Sequence, residues 1–162
     1  TCPTCRAPIR MEEARGLVLH GTKICAIADA IRRIGEPVIV FVQWKDLLRN
    51  MRSVLRGRGL QTFTLDGNAA QRSRSLSEFA TGGVLLLNLN DSFAGLHLPH
   101  VRHIVFSHAL VADREAVLSL EYQAIARCVR HGQTRRVHVH SYVVSDTVEE
   151  DLWRGDHAPS PP

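Results

Sequence analysis

Five consecutive apolar residues, Val38-Ile39-Val40-Phe41-Val42, constrain the fold of this chain more than any other feature. A strand with one face in water alternates apolar and polar residues, so an unbroken run this short reads as a strand covered on both faces. Val84-Leu85-Leu86-Leu87, introduced by Gly82-Gly83, and His103-Ile104-Val105-Phe106 repeat the pattern. Between these runs the apolar spacing turns helical. Ile24, Ile27, Ile31 and Ile34 follow Thr22, a suitable N-cap, and stop at Gly35-Glu36-Pro37. Leu47, Leu48, Met51, Val54 and Leu55 form a second apolar stripe, broken by Gly57 and Gly59. Further helices are expected over about residues 69–79, 114–130 and 147–153, and further strands over residues 61–65 and 137–144. Strand-then-helix order with short connections implies an α/β fold of three layers, a central mainly parallel sheet with helices on both faces and right-handed crossovers.

With 162 residues, 44% of them hydrophobic, the chain suits one compact domain with ragged ends. Twenty Lys and Arg against 16 Asp and Glu leave a formal charge of +4, compatible with a polyanionic partner without requiring one. No apolar run approaches the roughly 18 residues of a membrane span, and the N-terminus lacks a secretory layout, so a soluble intracellular protein without a membrane partner is expected. Cys2 and Cys5 form a CxxC pair, while Cys25 and Cys128 stand alone in helical segments as small core or near-core residues. Of the nine histidines, His97, His100, His103 and His108 lack the carboxylate or cysteine framework of a metal site.

Gln123, Arg127 and Arg130 carry the clearest chemistry. At i, i+4 and i+7 of the expected helix they share one face, and two adjacent guanidiniums suit a multiply charged anion such as a nucleotide phosphate. A solvated basic helix face has the same spacing. The surrounding residues, Gln123-Ala124-Ile125-Ala126-Arg127-Cys128-Val129-Arg130-His131-Gly132-Gln133, resemble motif VI of the Swi/Snf helicase-like ATPases, QxxxRxxRxGQ. Val38–Trp44 is similar to motif IV of that family, and Leu65-Asp66-Gly67 with Arg72 and Phe79 to motif IVa. Leu85–Leu89 followed by Ala94–Leu98 looks like motif V, with Ser92-Phe93 where the family has a glycine pair. Gly21-Thr22-Lys23 is similar to the lead-in to the lobe, and Asp146–Glu150 to the TxEE helix start that closes it. Ala126 replaces the usual glycine of motif VI and His131 a usual apolar residue, and the spacing from Gly67 to Arg72 is short.

The resemblance implies a RecA-like lobe over residues 21–154, the second of the two lobes that hold ATP and magnesium between them. The first lobe supplies the phosphate loop and the magnesium carboxylates, and no GxxxxGK[ST] occurs here, so this chain alone is expected neither to hydrolyse ATP nor to bind it tightly. In the family's terms Arg130 would be the arginine finger and Arg127 its companion, with Gln123 and Gly95 on the nucleotide side. Asn88, Asn90, Ser92 and Arg72 would meet the DNA backbone, giving duplex binding without base specificity. Residues 1–9, through Cys2-Pro3-Thr4-Cys5-Arg6, look like the end of a RING zinc finger, an incomplete zinc site because tetrahedral zinc needs four ligands. Residues 10–20 are then a linker and 155–162 a disordered tail. The implied parent is a DNA translocase of chromatin remodelling or DNA repair, nuclear by family. The alternative is a degenerate motor lobe scaffolding a RING ubiquitin ligase, with a ubiquitin-conjugating enzyme as partner.

Overall fold

The structure, a computed structural model, describes residues 9–11, 22–91, 96, 98–126 and 133–157. Six parallel strands form one sheet in the order β1-β6-β5-β2-β4-β3. They are β1 (Ile9–Met11), β2 (Val38–Val42), β3 (Thr62–Thr64), β4 (Val84–Asn88), β5 (His103–Phe106) and β6 (Val137–Ser141). The helices are α1 (Lys23–Ile34), α2 (Lys45–Gly57), α3 (Ala69–Phe79), α4 (Arg114–Ile125) and α5 (Val148–His157). Among the described residues no helix is long and apolar enough to cross a membrane.

The unbroken apolar runs have the structural cause expected of them. Alternate residues of one strand enter two different cores. Val38, Val40 and Val42 of β2, with Val84, Leu86 and Val105, pack under Ile27 and Ile31 of α1 and Met51 and Leu55 of α2. Ile39 and Phe41, with Leu85, Leu87, Ile104 and Phe106, pack under Phe79 of α3 and Val117, Ala124 and Ile125 of α4. Every residue of β2 is buried, and each such side chain withdrawn from water contributes about 1.5–3 kcal/mol.

Local signals set the helix ends. Thr22 Oγ1 accepts from Cys25 N–H at 3.4 Å, and Gly35, at φ 66°, donates its N–H to Ile31 O. Asn68 and Gln71 form a reciprocal capping box on α3, and Asp113 caps α4 through Ala116 N–H at 2.9 Å. Two elements differ from the sequence pattern. Helix α4 ends at Ile125, with Ala126 N–H bonded to Tyr122 O, short of the expected end near residue 130; Arg127 and Arg130 themselves lie outside the described residues. Strand β6 stops at Ser141 rather than near Val144, because the chain turns there: Thr147 Oγ1 donates to Val144 O at 2.7 Å and Asp146 N–H to Glu150 Oε2 at 2.8 Å. Helix α5 continues to His157, and strand β1, unforeseen in the sequence, pairs with β6 at the sheet edge.

Candidate functional site

In an open parallel sheet the concavity that receives ligands lies beyond the carboxyl ends of the strands. Here that edge is a continuous polar network built around Gln43, which follows β2. The Gln43 side chain clamps the backbone of Val111, donating Nε2–H to its carbonyl at 3.0 Å and accepting its N–H at 2.9 Å. Gln43 N–H donates to His108 Nε2 at 3.0 Å, and Asn90 Nδ2 donates to Gln43 O at 2.9 Å. Because His108 Nε2 accepts, its proton sits on Nδ1 and is donated to Ala109 O at 2.8 Å. Burial lowers the pKa of His108, in keeping with this neutral tautomer. Its ring supports Trp44, stacked with centroids 4.5 Å apart while Trp44 stays 46% exposed.

Asn88 and Asn90 divide the work after β4. Asn88 is buried at 2% exposure and spends its Oδ1 on Asn90 N–H at 2.9 Å, which fixes the turn rather than reaching solvent. Asn90 is exposed, as are Lys45 and Asp91 beside it, 3.9 Å apart. Arg72 is exposed in the first turn of α3, its Nε–H donated to Gly67 O at 3.0 Å. Gln123 is elsewhere. It lies exposed in the last turn of α4, the helix that returns from the carboxyl edge, and donates to Ser119 Oγ at 3.1 Å. Arg127, Arg130, Gly95, Ser92, Cys2 and Cys5 lie outside the described residues.

Gln133 ties the start of the chain before β6 to the turn before β5. Its Nε2 donates to Pro99 O at 2.7 Å and Val101 O at 3.1 Å, and its Oε1 accepts Arg135 N–H at 3.1 Å. Helix α5 braces α4 from the other side. His157 Nε2 lies 3.0 Å from Glu121 Oε2, its Nδ1 lies 2.8 Å from Trp153 O, and Arg114 Nε donates to Asp156 O at 3.1 Å. Both groups facing the His157 ring are acceptors only, so both ring nitrogens carry protons, and the Glu121 carboxylate raises the pKa accordingly. The same helix holds α1 through Lys23 Nζ, 2.6 and 2.7 Å from the two Glu149 oxygens, while burial lowers the Lys23 pKa. Sequence reading missed the roles of Gln43, His108 and the Glu121–His157 pair, which no local signal marks.

The comparisons with known proteins agree with this architecture. The family model described as the helicase conserved C-terminal domain matches residues 22–132. DNA (cytosine-5-)-methyltransferase DMT5 of Cryptococcus neoformans var. grubii is 34% identical over 143 residues, covering 83% of this chain and 6% of its own length. DNA repair protein RAD5 of Yarrowia lipolytica is 31% identical over 141 residues, covering 83% of this chain and 13% of its own length. DNA repair protein RAD5B of Arabidopsis thaliana is 37% identical over 143 residues, covering 82% of this chain and 11% of its own length. This chain therefore spans a small part of the relatives it matches. Among solved structures, the C-terminal part of the Fun30 ATPase domain shares the fold at a TM-score of 0.68 and 20% identity, covering 82% of this chain and 44% of that chain. With its parallel sheet, its motif order and the matched residues 22–132 taken together, the chain belongs to the helicase conserved C-terminal domain family, as a RecA-like lobe of the Swi/Snf type.

Proposed function

We propose that this lobe is the second half of an ATP-dependent translocase on duplex DNA, acting in DNA repair or chromatin remodelling. The observation that carries the proposal is the ordered set of motifs IV to VI, laid on a parallel sheet whose carboxyl edge is polar and backbone-fixed. Asn90 and Arg72 are exposed near that edge and contact phosphates, while buried Asn88 holds the turn that presents Asn90; Ser92, outside the described residues, takes its backbone-contacting role from the motif alone. Phosphate contacts set register without reading sequence, so affinity falls as salt rises.

ATP and magnesium belong to the cleft with the first lobe. In the family reading the magnesium carboxylates come from that lobe. The contribution of this chain is cationic. Exposed Gln123, whose side chain reaches Ser119, leads into Arg127 and Arg130, which meet the charge that develops on the γ-phosphate, with Gly95 allowing close backbone approach. Cys2 and Cys5 close a zinc finger whose other ligands are not in this sequence, and a ubiquitin-conjugating enzyme is its partner. Because this parent protein works on DNA, it resides in the nucleus.

The deciding experiment is DNA-stimulated ATP hydrolysis by the whole protein, wild type beside Arg130→Ala. Loss on the order of a thousandfold supports the arginine-finger role. If neither protein turns over ATP although both fold, the lobe is a scaffold for ubiquitin ligation, the alternative that Ser92-Phe93 in motif V keeps open.

A further inference from the structure

Strand β3 is a sheet edge, paired with β4 alone, and its outer flank differs from the rest of its layer. Thr62 and Thr64 sit in register with Val84 and Leu86 and share their side of the sheet, so two buried threonines lie beside the Val and Leu residues of β4 and β2. Facing them, Arg52 and Arg56 stand at i and i+4 on α2. With Ser75 and Glu78 of α3, these residues line a half-open cavity of about 290 Å³.

Arg49, Arg58, Arg74, Arg102 and Arg154 each meet a carboxylate, whereas neither Arg52 nor Arg56 has an ion pair among the described residues. Arg56 Nε–H donates to Thr62 Oγ1 at 2.9 Å. Arg52 Nε is buried without any hydrogen-bond partner, a state that a buried donor leaves when an acceptor arrives. Glu78 is the one acidic residue of the lining, and Arg74 answers its charge at 2.8 Å.

The backbone of β3 indicates what kind of molecule brings the acceptor. Val84 N–H bonds to Gln61 O, so alternate residues Gln61 and Phe63 turn their backbone groups to β4 and those of Thr62 and Thr64 turn outward, as a template for another strand. We propose that this flank binds a phosphorylated peptide: an extended segment adds to the outer edge of β3 and places a phosphoserine or phosphothreonine on Arg52 and Arg56. A phosphomonoester carries close to two negative charges and three acceptor oxygens, matching two guanidiniums and the hydroxyls of Thr64 and Ser75. Duplex DNA fits less well, because its phosphates are single charges on a broad convex wall, while this cavity is side-chain sized and lies on the flank of the sheet.

The test uses the whole chain, with NMR of backbone amides and arginine Nε–H groups. Inorganic phosphate, titrated against chloride at equal ionic strength, is expected to shift Arg52 Nε–H and the Thr62 and Thr64 amides saturably. A phosphothreonine peptide of eight residues should bind about tenfold or more tighter than its unphosphorylated form. Arg52→Gln and Arg56→Gln should each weaken it by about tenfold, while Arg49→Gln, a control outside the cavity lining and already paired with Asp46, leaves it unchanged. Amide spectra of each variant verify the fold. Non-saturating shifts, equal binding by Arg52→Gln and wild type, or phosphopeptide displaced by stoichiometric duplex DNA would each overturn the proposal.

Discussion

Replacing His157 by Gln tests whether charge locks α5 onto α4. The imidazolium and Glu121 are 3.0 Å apart, with side chains only 15% and 11% exposed, so removing the cation leaves a nearly buried carboxylate. A hydrogen bond to a charged group and the loss of a desolvated partner together set the cost at about 2–3 kcal/mol. For a domain of this size that is a fall in Tm of roughly 4–12 °C. The sign with pH follows from the raised pKa of His157. A base whose folded pKa lies above its unfolded value contributes fully below the unfolded value of 6.5 and loses that contribution as pH rises through the folded one. Asp156 and Glu121 favour the charged ring, while Arg114 faces the same turn and tempers Asp156. His103 does not confuse the window: burial and its neighbours His140 and His138 hold it at about 4, so its effect falls on the acid side of 6.5. Thermal melts of the wild type between pH 6 and 8.5 should therefore show a decline that His157→Gln lacks. A variant that keeps the wild-type slope, or loses less than about 2 °C at pH 6, would refute the lock.

Three further substitutions probe the carboxyl edge, the sheet and the end of α1. Gln43→Ala removes both hydrogen bonds to the backbone of Val111, and should cost about 1–2 kcal/mol in chemical denaturation and speed amide exchange at Val111. Gly83→Ala should cost about 1–3 kcal/mol or more, because φ is 96° and a Cβ would lie 2.8 Å from Gln61 O. Gly35→Ala, at φ 66° in open space, should cost about 1 kcal/mol by the same melts.

The central sheet was legible because β2, β4 and β5 are buried on both faces, and burial writes itself into local sequence as unbroken apolar runs. Helix α1 was legible through its caps, Thr22 and Gly35, and α3 was placed at its observed bounds although its Asn68–Gln71 capping box played no part in that reading. The end of α4 was not, since Ala126, Arg127 and Cys128 continue a helix-compatible pattern past the point where the helix stops. Strand β1 has three residues and no run to reveal it. The polar edge was legible only as a string of motif letters. Its working bonds join Gln43 to His108 and Val111, and those of the α4–α5 contact join Glu121 to His157, residues far apart in sequence that only the packed fold brings together.

The two functional regions are held by different physics, and that difference orders their sensitivity. At the carboxyl edge Gln43, Asn88, Asn90 and neutral His108 bond to backbone groups or to each other, so salt and pH near neutrality leave this network intact. The end of α4 depends instead on charge, through Glu121 with His157, and α5 ties that point to the start of α1 through Glu149 and Lys23. A helix outside the matched residues 22–132 thus bridges the first helix of the lobe and the helix that leads into Arg127 and Arg130. Displacing α5 would strip a partner from two partly buried charges at once, at opposite ends of the matched segment, while the backbone-built carboxyl edge kept its shape. Loss of the strap would therefore loosen α1 and α4 together while the Gln43 network stayed in place, so the two regions are separable by salt and pH.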